Sequence, residues 1–139
     1  MVALTRRIVL AGMVSMAWAP ALHAADPGIE TVIGSQLEAF KADDAEGAYA
    51  RAAPNIRRMF PSKDVFISMV ERGYLAIRRP SQWAFGRSRE VSATSTLQEV
   101  IVTGPDGKSW RAIYQMEKQP DGSWLIAGVS LKEADLPSI

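Results

Sequence analysis

The sequence predicts an α+β domain: N-terminal helices packed on a curved antiparallel sheet of about four strands. Three observations carry this. Apolar residues recur three and four apart through the first half of the chain, and they alternate at a period of two in the second half. The stretches Gly104-Pro105-Asp106-Gly107 and Pro120-Asp121-Gly122 punctuate that second half as turns.

The chain opens on a segment with the layout of a secretory signal. Arg6 and Arg7 precede an apolar run, Ile8 to Trp18, and Pro20 leads to the small-residue exit Ala21-Leu22-His23-Ala24-Ala25. The run is about eleven residues, short of the roughly 20 that span a bilayer. Residues 1–24 are therefore expected to be removed after Ala24, leaving one domain over 25–139 in the periplasm. Thr5-Arg6-Arg7-Ile8-Val9-Leu10 fits either the twin-arginine or the general export route.

Helix positions follow in order. Asp26 caps a helix with Pro27 at its first position, and Ile29, Val32, Ile33, Leu37 and Phe40 form one apolar stripe. Asp43-Asp44 breaks the stripe and caps a second, shorter helix over Ala45 to Ala50. Pro54 ends that segment, and Asn55 is placed to cap a short turn carrying Ile56, Met59 and Phe60. Ser62 caps a third helix with Val65, Phe66, Met69 and Val70 on one face, and Gly73 is placed to stop it.

Strands begin after Ser81. Gln82 to Val91 reads as the first and Leu97 to Val102 as the second. Trp110, Ala112, Tyr114 and Met116 alternate through the third, and Trp124, Ile126 and Gly128 through the fourth. Lys132 to Ile139 reads as a polar tail.

Composition excludes several chemistries. The chain has no cysteine, and its one histidine, His23, leaves with the signal. A thiol nucleophile, a serine–histidine pair and imidazole or thiolate metal ligands are then impossible, so no cofactor is expected. Loss of Arg6 and Arg7 takes the formal charge from +1 to about −1, which gives nucleic-acid binding no support. Charge is nonetheless segregated: about +6 over residues 57–89, −4 over 26–56 and −3 over 90–139.

Ordered along the chain, Phe40-Lys41-Ala42-Asp43-Asp44-Ala45, Ala53-Pro54-Asn55-Ile56, Gly73-Tyr74, Arg79-Pro80, Asp106-Gly107-Lys108-Ser109-Trp110 and Asp121-Gly122-Ser123-Trp124 resemble a bacterial family catalogued as domain of unknown function 4864. Ala53 departs from the serine that the resemblance would place before Pro54. The family looks like a member of the nuclear-transport-factor-2-like superfamily. That resemblance implies a cone, a curved sheet wrapped on helices with a cavity between. It does not choose among isomerases, dehydratases, cyclases and non-catalytic modules.

Candidate residues follow from residue chemistry. Acid–base work would fall to Asp43 and Asp44, whose plainer role is capping the second helix. An anion or ligand site is expected at Tyr74, Arg78, Arg79 and Trp83, where two guanidinium forks adjoin a proline and an aromatic. The competing expectation is that these arginines pair with Asp43 or Asp44 and brace the fold. Trp83, Trp110 and Trp124 are most simply packing residues. The readings left open are a small-ligand or partner-binding domain, a cofactor-free lyase or isomerase, and a dimerisation module that pairs two copies through the sheet.

Overall fold

The computed structural model describes residues 26–134; the predicted signal segment lies outside them, as do residues 135–139. Five helices precede four strands: α1 (Pro27–Lys41), α2 (Ala45–Tyr49), α3 (Pro54–Met59), α4 (Lys63–Gly73), α5 (Leu75–Arg78), β1 (Gln82–Ser92), β2 (Ser95–Thr103), β3 (Ser109–Lys118) and β4 (Trp124–Glu133). The strands form one antiparallel sheet in the order β1-β2-β3-β4, a meander with helices on one face. The α+β expectation is met.

Three of the helices, α1, α2 and α4, start where a side chain satisfies an orphan backbone donor. Asp26 accepts from Gly28 N at 2.8 Å, Asp44 from Gly47 N at 3.0 Å and Ser62 from Val65 N at 3.2 Å. Asp26 does more than cap. Its second oxygen accepts from Trp124 Nε1 at 3.0 Å, tying the start of α1 to the start of β4. Both long hairpin turns place glycine at positive φ, Gly107 at 84° and Gly122 at 89°.

The core lies between α1 and the inner sheet face. Ile29, Ile33, Leu37 and Phe40 meet Val100, Val102, Ala112, Tyr114 and Met116, all fully buried. Even-numbered residues of β2 and β3 point to the helices, as the period of two requires. Of the odd-numbered residues on the opposite face, Leu97, Ile101 and Ile113 are half-buried and Gln115 is exposed. Glu99 crosses the middle of that face, with Arg111 Nε at 2.9 Å from its carboxylate and Arg87 N donating to it at 3.2 Å.

Four details differ from the sequence expectation. Asn55 lies inside α3 rather than capping it; Ala53 is the N-cap and supplies no side-chain bond. Residues Leu75 to Arg78, between the third expected helix and the first expected strand, form a helical turn, because Tyr74 O accepts from both Ile77 N and Arg78 N. The turn between β1 and β2 is Ala93-Thr94, without glycine or proline, closed by Thr94 N donating to Ser92 Oγ. Lys132 and Glu133 are strand rather than tail, since they pair with Arg111 and Trp110 and extend the ladder despite their polarity.

Candidate functional site

A cavity of about 370 Å³ lies between α1, α3, α4 and β4. Its position follows from the way the chain enters and leaves the sheet. The segment before α3 runs beside β4, with Ile126 N donating to Arg51 O and Ala53 N to Ile126 O, both at 2.8 Å. At that point β4 bulges: Gln115 pairs with Gly128 and Met116 with Ile126, leaving Ala127 as the extra residue. The bulge frees the Ala127 carbonyl from the ladder, and Asn55 Nδ2 donates to it at 3.0 Å. That bond and the one from Ala53 N pin the start of α3 to β4.

The lining is apolar and aromatic, with Phe40, Phe66, Val70, Ile77, Ile126 and Val129 as principal surfaces. Phe40 stacks on Phe66 at 6.2 Å between ring centroids, and Phe66 meets Tyr49 at 5.4 Å. Tyr49 Oη donates to Phe60 O at 2.6 Å, fixing the turn after α3. The polar side chains of the lining are Gln36, Asn55 and Tyr74. Gln36 Nε2 donates to Ala48 O at 3.1 Å, whereas Asn55 Oδ1 is buried with no partner among the described residues. Among the described residues no Asp, Glu, Lys or Arg lines the cavity.

Of the sequence-nominated residues, Tyr74 stands in this wall. Arg78, Arg79, Asp43 and Asp44 stand beside it. Asp43 adopts a left-handed backbone, φ 59°, at the turn between α1 and α2, a conformation that Asp tolerates. Its Oδ1 accepts from Arg78 Nη2 at 3.0 Å and from Arg79 Nη1 at 2.7 Å. Arg78 is 7% exposed and spends its fork on three partners. Besides Asp43 it donates from Nε to Glu71 at 3.2 Å and from Nη1 to Phe40 O at 3.1 Å. The guanidinium thus braces α4 and the α1–α2 turn, and it sits where the C-terminal carbonyls of α1 are negative. Asp44 is the cap of α2. Trp83 faces the core from β1 opposite Val102, with Lys41 Nζ 6.0 Å from its ring.

Gln36 and Asn55 are functional candidates that the sequence reading missed. Gln36 had a local signal, since it stands three after Ile33 and four before Phe40 on the buried stripe. Asn55 had none, because its partner is 72 residues away.

Four carboxylates are held below their ordinary range. For Asp26 the main cause is the Gly28 N–H, then the Trp124 N–H; for Asp43 it is the hydrogen bond from Arg78. For Glu99 it is the Arg87 N–H, then Arg111; for Asp121 it is Ser123. Depressed folded-state values mean stability is present above the unfolded values, near 4, and is lost as pH falls through the folded ones. Melting should therefore be flat from about pH 5 to 8 and decline below roughly pH 4, as thermal scans across pH would show. Burial pushes the Tyr114 hydroxyl up, and that hydroxyl has no partner among the described residues.

Among the described residues no helix is long and apolar enough to cross a membrane, and no group of three or more His, Cys, Asp or Glu could hold a metal ion. No curated protein and no solved structure matches the chain. A family model does match, over residues 22–139, and the chain accordingly belongs to the family described as Domain of unknown function (DUF4864).

Proposed function

We propose that this protein is an exported binding domain that holds a small apolar molecule between its helices and its sheet. The observation that carries the reading is the cavity itself, about 370 Å³ of apolar wall with a few polar groups. Such a lining is typical of ligand pockets, where burial supplies affinity and isolated polar atoms set orientation. Asn55 Oδ1 is suited to accept one hydrogen bond from a ligand hydroxyl or amide, since its partner amide is already committed to Ala127.

Binding is favoured over acid–base catalysis because, among the described residues, no carboxylate lines the cavity. Asp43 is engaged by two arginines and Asp44 by the α2 backbone. Binding is favoured over pairing of two sheets because the Glu99–Arg111 ion pair interrupts the apolar residues of the open face.

Saturable one-to-one uptake of the fluorescent apolar probe N-phenyl-1-naphthylamine tests the reading. Linear, unsaturable fluorescence would sink it. Export rests on Arg6-Arg7, the short apolar run and the alanine-rich exit. The soluble periplasmic form should have an intact mass that starts near Ala25; a retained Met1 would contradict it.

A further inference from the structure

We infer that the molecule held in the cavity is a single-chain amphiphile with an anionic head, its tail among the aromatic residues and its head at Arg57 and Arg58. This rests on the binding reading above and adds the ligand's class.

The opening of the cavity can be located. Met59 lines the cavity yet is 66% exposed, so the wall reaches solvent at the end of α3. An apolar rim of this kind suits a tail passing from water into the interior.

The cations of residues 57–89 divide into two groups. Arg78 and Arg79 are neutralised by Asp43 and Glu71, and Arg87 faces Glu99. Arg57, Arg58, Lys63, Arg72 and Arg89 form no ion pair among the described residues; Arg89 lies on β1, and the other four lie on α3 and α4, the helices that flank the opening. The carboxylates on these helices do not offset them: Glu71 is held by Arg78, and Asp64 occupies the first turn of α4, where it complements the helix dipole.

Arg57 is already positioned. Its Nε donates to Ala52 O at 3.1 Å and its Nη2 to Tyr49 O at 3.2 Å, with the guanidinium 4.9 Å from the Tyr49 ring. Its neighbour in sequence, Ile56, and its acceptor residue, Ala52, both line the cavity. A cation fixed by neutral carbonyls keeps its charge uncompensated. A carboxylate or phosphate supplies that compensation by a charge-assisted bond.

Titration of the exported chain with dodecanoate and with dodecanol, at low ionic strength, tests this. The wild type should bind dodecanoate at least about tenfold more tightly than the alcohol, the scale of one charge-assisted hydrogen bond. In the Arg57→Leu/Arg58→Glu variant that preference should vanish while dodecanol affinity stays within about twofold. Should this variant fail to fold by circular dichroism, salt provides the second arm: about 0.5 M sodium chloride should erase the preference of the wild type. Equal affinity for the two amphiphiles, or a preference surviving both substitution and salt, overturns the assignment of the head group and leaves the cavity reading standing. Binding of neither amphiphile overturns the cavity reading as well.

Discussion

Arg78→Met should cost about 3 kcal/mol of folding stability in urea melts, the scale of losing hydrogen bonds from a buried charged group. The substitution keeps the aliphatic bulk but removes three donated bonds at once, to Asp43, Glu71 and Phe40 O. Phe40 O loses its charged donor and keeps the bond from Asp43 N at 3.1 Å. Arg79→Met makes a direct contrast. Arg79 contributes one bond to Asp43, and its side chain is 46% exposed, so its loss should cost less than about 1 kcal/mol. A cycle through Asp43→Ala should show stronger coupling to Arg78 than to Arg79. Equal costs for the two arginines would mean that the buried fork is not the brace described. Because Phe40 also forms part of the cavity wall, Arg78→Met should weaken probe uptake as a secondary effect.

Val129→Phe should abolish uptake of N-phenyl-1-naphthylamine, a loss of at least about tenfold in affinity, with stability within roughly 1.5 kcal/mol of wild type. Val129 projects from β4 into the cavity and is half-buried. A phenyl ring there occupies the space a ligand would need, while adding apolar contact with the opposite wall. Loss of binding with retained melting separates a blocked cavity from an unfolded protein. Undiminished uptake by a well-folded Val129→Phe would place the probe elsewhere.

The parts of this fold legible in the sequence are those set by near neighbours. Asp26 before Pro27, Asp44 and Ser62 announce helix starts because a cap acts over two or three residues. Strand alternation and the glycine turns are equally local, and so is the pattern that sends Gln98 and Tyr114 inward among apolar neighbours. What escaped is fixed by distant partners. The bond from Trp124 to Asp26 spans 98 residues. Burial of Arg78 depends on α5, whose four residues carry no helical periodicity to read, and on Asp43, 35 residues earlier. The segment around Tyr74 and Arg79 carries binding chemistry in its sequence, and one of its members, Tyr74, stands in the cavity wall. Arginine pairs adjoining an aromatic look alike whether they await an anion or already hold a carboxylate. The difference lies in where Asp43 folds back, and that is a property of the turn after α1. Gln36 was concealed by its type: a polar residue on an apolar stripe is easily passed over, although its position alone buries it.

Methyl resonances of the isoleucine, leucine and valine residues, followed by NMR while N-phenyl-1-naphthylamine is added, test the central claim most directly. A ligand held between helices and sheet should shift Ile56, Val70, Ile77, Ile126 and Val129, which all line the cavity. Leu97, Ile101 and Ile113, on the far face of the sheet, should stay in place. Shifts concentrated on those three, or none at all at saturating probe, would contradict the account.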